Sequence, residues 1–197
     1  AINIALSTTV PGTTFYYAAP TVTGGVTGGS ARTSPGNTSA ITNTLVNPTA
    51  AIQTATYTVY PIINGCIGSS ITVVITVNPV PIVTTGLVQG LCTDATFTSA
   101  ISNLALTTTP AMAGALFTYG VPTLTGGMTG GSARSVGSTA NIADTFVNNT
   151  STAQTATYSV TATAPSLLGG CVGVAKNVVI TVYPRSLINS SLTKTVC

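Results

Sequence analysis

The stretch Gln53-Thr-Ala-Thr-Tyr-Thr-Val59 alternates with a period of two and returns further along as Gln154-Thr-Ala-Thr-Tyr-Ser-Val160. Side chains on a strand point alternately to opposite faces, so Ala55, Tyr57 and Val59 share one apolar face and the threonines share the other. Downstream, Ile71-Thr-Val-Val-Ile-Thr-Val77 puts Ile71, Val73, Ile75 and Val77 on one face, and Val178-Val-Ile-Thr-Val182 repeats the pattern. Both copies run into a proline, Pro79 and Pro184, which cannot donate to a sheet ladder and ends the strand.

The duplication extends well beyond these strands. Thr23–Arg32 recurs as Thr125–Arg134, Cys66 maps to Cys171, and Cys92 maps to Cys197. Residues 1–6 match 101–106, so the first copy has no counterpart of Cys92–Ala100, and Cys197 opens a third copy. The phase predicts a first repeat over 1–79 lacking its first strand, a complete repeat over 80–184 and the start of a third over 185–197. A window from a longer tandem array explains this phase most simply. A subunit that completes its fold with a neighbour is the alternative.

Thr and Ser together supply 57 of the 197 residues, and Thr and Val favour half-buried strands over helices. Gly and Pro fall mostly between the Thr/Val stretches, where they read as turns. Further strands are expected at 95–101, 103–107, 115–119 and 139–147. About seven short strands per ~100 residues predict an all-β fold of tandem immunoglobulin-like antiparallel β-sandwich domains. The Gly-rich stretches 23–31 and 125–131 are too long for tight hairpins and read as projecting loops.

Charge is scarce, at 4% of residues, with five cations, two acids and no histidine. A His-based triad or His-ligated metal is therefore impossible, and two acids cannot build a calcium cage. No cofactor and no enzyme activity are expected. A net charge of +3 is too small for a nucleic-acid groove. No apolar run reaches the ~18 residues of a membrane helix, so the chain is not read as membrane-spanning. A neutral, hydroxyl-rich surface suits an extracellular wall or fibre.

The four cysteines read as structural disulfides, and two pairings fit. One joins Cys92 to Cys171 and sends Cys66 and Cys197 to neighbouring repeats. The other joins Cys66 to Cys92 and Cys171 to Cys197. Residues 71–77 carry the chain ~20 Å away from Cys66, which leans toward the first.

Other candidate positions are weaker. Arg32 and Arg134 end the Gly-rich stretches, where backbone amides and a cation could hold a phosphate, sulfate or acidic sugar; an exposed loop with a solubilising cation is the plainer reading. Asp144 stands in the place of Asn43, which argues for hydrogen bonding over proton transfer. Tyr57 and Tyr158 read as core residues with the hydroxyl at the rim. Asn37, Asn148, Asn149 and Asn189 match the N-glycosylation pattern. Asp144-Thr145-Phe146 loosely resembles an O-glycosylation motif at Thr145.

The stretches Ile41–Asn47, Gln53–Val59, Asn64-Gly-Cys-Ile-Gly68 and Ile71–Pro79, with their second copies, resemble the PKD-like repeats of giant Bacteroidetes surface proteins. Gliding-motility adhesins of the SprB type, exported by the type IX secretion system, are among these. The resemblance implies an Ig-like fold, secretion and a place at the cell surface in a long extracellular filament used for attachment and gliding. It brings no catalytic or ligand residue. Partners on this reading are neighbouring repeats of the same array, with surface glycans as a second class. Two other readings stay open: a carbohydrate-binding or spacer module of a secreted enzyme, and a filament subunit polymerising by strand donation through 185–197.

Overall fold

The strong alternation at 53–59 and 154–160 marks the longest strand of each of two units. The structure, a computed structural model, describes residues 1–33, 39–84, 88–92, 100–139, 141–184 and 195–196. The chain divides into one unit formed by Ala1–Pro81 with Ala164–Cys171, and a second formed by Ile82–Thr163 with Val172–Cys197.

The first unit contains β1 (Ile2–Ala5), β2 (Thr14–Tyr17), β3 (Thr21–Val22), β4 (Ala40–Asn43), β5 (Gln53–Ile63), β6 (Cys66–Ile67) and β7 (Ile71–Val77). One sheet pairs β1 with β4, while β5 organises the other by pairing antiparallel with β2, β3, β6 and β7. Register follows the alternation: Ala55 lies opposite Ile75 and Tyr57 opposite Val73, which turns their apolar faces the same way. Phe15 and Tyr17 on β2 extend this face, and Ile41 on β4 joins the same buried cluster from the other sheet, with Leu6 and Val26, so the core lies between two sheets as in a β-sandwich. Tyr57 and Val59 are fully buried.

The second unit contains β8 (Ile82–Val83), β9 (Val88–Cys92), β10 (Ala100–Ile101), β11 (Thr108–Thr109), β12 (Leu116–Tyr119), β13 (Thr123–Leu124), β14 (Thr129–Gly130), β15 (Arg134–Ser138), β16 (Thr145–Val147), β17 (Gln154–Thr163) and β18 (Lys176–Tyr183). The larger sheet runs β15-β12-β17-β18-β9, with β13 also on β17, and the opposing sheet runs β10-β16-β14. Its core repeats the first: Tyr158, Val160, Val178, Ile180 and Val182 are fully buried, with Ile142 and Phe146. A single turn of 3₁₀ helix, Ser166–Leu168, lies in the longer loop of the second copy.

The all-β reading holds, with one difference in direction: β9 pairs parallel to β18. A parallel partner needs a long crossover and cannot be read from alternation. The expected strand at 103–107 is reduced to a bridge between Leu104 and Ile142, and 139–147 yields only β16 as a strand. Residues 95–99 lie outside the described residues.

The Gly-rich stretches are not projecting loops. Val26 and Met128 at their centres are buried at 5% and 4% exposure, and each stretch re-enters the sheet through Thr27–Val46 or Thr129–Val147 pairing. The glycines permit this because the backbone runs tight against its neighbour. A Cβ on Gly28 would sit 1.8 Å from the Thr44 carbonyl oxygen, and one on Gly130 would sit 2.0 Å from that of Thr145. Both also have positive φ, at 87° and 112°.

Replacing Tyr158 with alanine should destabilise the chain by about 3–5 kcal/mol, read as a fall in the urea midpoint. Alanine at Val136, which is 79% exposed, should stay within about 0.5 kcal/mol.

Candidate functional site

Among the described residues, each unit gathers polar side chains around a buried tyrosine in its core, at equivalent positions. In the first, the Asn43 Nδ2 donates to the Tyr57 hydroxyl at 2.9 Å, and Ser30 donates to the Asn43 Oδ1 from its hydroxyl at 2.7 Å and its backbone N–H at 3.2 Å. In the second, the Tyr158 hydroxyl donates to the Asp144 Oδ2, and the Ser132 hydroxyl donates to Oδ1 at 2.5 Å. A carboxylate can only accept while an amide can donate, so the tyrosine hydroxyl reverses its role between copies. Asp144 does hydrogen-bonding work here, as its exchange for Asn43 suggests.

Aromatic rings close around each hydroxyl. Tyr17 meets Tyr57 edge-on at 5.5 Å, and Tyr119 meets Tyr158 edge-on at 5.1 Å. Burial is the largest cause raising the Tyr158 hydroxyl far above its ordinary value near 10, with the hydrogen bond to Asp144 and its negative charge adding to it. Burial likewise raises Tyr57 and Tyr119, opposed by the Asn43 hydrogen bond in one case and by Arg134 in the other.

A second polar cluster ties the loop before the longest strand to the end of the last one. The Asn47 Nδ2 donates to the carbonyls of Ala51 and Val77, while its Oδ1 accepts from the backbone and hydroxyl of Thr49. Asn148 does the same with Thr152, Val182 and Thr150. Gln53 and Gln154 each donate to the threonine hydroxyl at 3.1 Å. Residue-by-residue reading took Asn148-Asn-Thr150 for a glycosylation pattern and missed this role. The spacing Asn-x-Thr-x-x-x-Gln, present in both copies, is the signal that finds it. Asn148 is 3% exposed with its amide fully engaged, so glycosylation there is blocked; Asn149 is exposed, and Asn37 and Asn189 lie outside the described residues.

The structure does not bring the remaining candidates together. Arg32 is exposed, and its backbone exchanges hydrogen bonds with Tyr17. Arg134 places its guanidinium 5.0 Å from the Tyr119 ring centroid and donates to the Asn141 carbonyl at 2.9 Å. Thr145 is exposed on β16. No bond joins Cys66, Cys92 and Cys171 to one another in the structure. Cys197, the remaining partner in either scheme, lies outside the described residues. Among the described residues no cluster of three His, Cys, Asp or Glu side chains could hold a metal, and no helix is long and apolar enough to cross a membrane. A shallow cleft of about 430 Å³ in the second unit is lined by Leu106, Met112, Phe117 and small or hydroxyl side chains, none of them titratable.

Two sandwiches, each closed around one tyrosine, define a tandem Ig-like repeat protein. A comparison with protein families matches the PKD-like domain over residues 1–81 and again over 89–186, and the chain belongs to that family. PKD-like domains are typically extracellular modules. Among curated proteins nothing matches.

Two outcomes follow from the paired tyrosines. Tyr158→Phe, which strips a hydrogen bond from a charged acceptor, should cost about 1.5–3 kcal/mol, against about 0.5–1.5 for Tyr57→Phe, compared by urea denaturation. The second concerns pH. The folded hydroxyls of Tyr57, Tyr119 and Tyr158 hold their protons more tightly than the unfolded chain, whose tyrosines ionise near 10. Their contribution is fully present below pH 10 and falls as pH rises beyond it. Tyrosinate absorbance from these three should therefore appear together with loss of the β-sheet circular dichroism signal.

Proposed function

We propose that the chain is a structural repeat segment of a long extracellular filament at the cell surface, serving attachment and gliding motility, with no catalytic role of its own. The observation that carries this reading is the pair of PKD-like sandwiches in tandem, each with its polar side chains spent on holding its own sheets. Outward positions on the long strands are threonines, as at Thr54, Thr56 and Thr58 on β5 and at Thr155 and Thr157 on β17. Such a surface stays hydrated without charges that salt would screen. Its partners are neighbouring repeats, with surface glycans second. The resemblance to SprB-type adhesins supports the motility element of the proposal.

Antibodies raised against the two-repeat fragment should label intact cells of the source organism, and external protease should remove the label. Deleting the coding region should impair attachment or gliding. Labelling only after cell lysis, or a deletion strain that attaches and glides normally, would count against the proposal.

A further inference from the structure

Chain direction decides how a sheet meets a pull on its ends. In the second unit β9 lies beside β18, the last of its described strands, and the two run parallel, with Val88 opposite Val179 and Cys92 opposite Tyr183. A pull that enters ahead of Val88 and leaves beyond Tyr183 acts at opposite ends of this pair. It slides one strand along the other, so every hydrogen bond of the ladder is strained at once. In an antiparallel pair the two points of pull would share one end, and the bonds would open in turn. The core takes no part at this stage, because β17, which carries Tyr158, lies on the far side of β18.

We infer that the β9–β18 ladder is the clamp by which this repeat resists being drawn out along its chain. Ahead of it stands β8, held on β11 through Ile82 opposite Thr109 and Val83 opposite Thr108, with the Thr84 N–H donating to the Thr107 carbonyl at 3.0 Å. That pairing is shorter than the run Val88–Cys92 on Val179–Tyr183, and it yields first. Two side chains then keep β9 in register. The Gln89 Oε1 accepts from the Asn103 backbone N–H at 3.1 Å, which ties β9 to the segment following β10. The Tyr183 ring lies against Gly90, where an added Cβ would sit 3.2 Å from Cε2. The ring covers the backbone at that point and keeps out water that would replace a strained hydrogen bond.

This inference rests on the repeat-segment reading, which gives the chain a tension to bear. The test is single-molecule force spectroscopy on the full chain, gripped through reactive groups at positions 80 and 185 in one series and at 136 and 174 in another. Val136 on β15 and Val174 ahead of β18 are 79% and 72% exposed. Both lie level with the Phe117–Ala162 pair, since Phe117 faces Ser138 and the Gly173 N–H donates to the Ala162 carbonyl. Grips there pull across the strands and part the ladders bond by bond. Forced unfolding reads the unfolding barrier, so the two directions compare one unit with itself. At equal pulling rate the second unit should unfold at a clearly higher force from 80 and 185 than from 136 and 174. Tyr183→Ala and Gln89→Ala should each lower the first force and leave the second unchanged, with urea denaturation showing that both variants fold. Equal forces in the two directions, or a Tyr183→Ala loss that is the same in both, overturns the inference. Antibody labelling of intact cells can succeed whichever direction resists, so failure of the clamp and failure of the repeat-segment reading are told apart.

Discussion

Each sandwich depends on a hydrogen bond made across its interior. Tyr57 sits at the middle of the longest strand of one sheet, fully buried, and its hydroxyl would be an expensive orphan without Asn43 reaching from the other sheet. Tyr158 and Asp144 make the equivalent link. Apolar contact alone would let two twisted sheets slide, because hydrophobic burial is non-directional. A single buried polar pair fixes which residue faces which. Ser30 and Ser132 then hold the Asn43 and Asp144 side chains from the Gly-rich stretch, which is drawn inward to make that bond.

The same constraint explains why those stretches are rich in glycine. Ser30 and Ser132 reach the buried pair only if the chain passes tightly against Thr44 or Thr145, where no Cβ fits. Each stretch also anchors itself with one apolar residue, Val26 or Met128. Flexibility is therefore not what the glycines supply. They allow a close backbone approach, and the cation that follows is used differently in the two copies, with Arg134 lying over Tyr119.

What could be read from the sequence and what could not divides along physical lines. The faces of β5, β7, β17 and β18 were legible because one half-buried sheet face imposes strict alternation. The register of Ala55 on Ile75 follows from it. The inward fold of 23–31 and 125–131 was not, since a lone Val or Met between glycines carries no period. The role of Asp144 was legible only through its exchange with Asn43 in the other copy. Asn47 and Asn148 were hidden because their partners are backbone carbonyls, which every residue carries. The parallel placement of β9 was hidden too. Its sequence states that it can be a strand but not which edge it joins.

Threonine resolves two demands that usually fall on different residues. Outside faces of a sandwich need polar side chains for hydration, and its strands need β-branched ones for backbone preference. Thr54 lies opposite Thr76, Thr58 opposite Thr72, and Thr155 opposite Thr181, so hydroxyl and methyl groups meet in cross-strand pairs on the outer face. Lysine and glutamate would hydrate the same face at the expense of strand propensity, and would make its stability depend on salt and pH. With threonine the outer face is nearly indifferent to both. The groups whose ionisation the fold resists are then the buried tyrosines, which meet their limit only in strong alkali. A module built this way keeps one structure across the range of salt and pH found outside a cell.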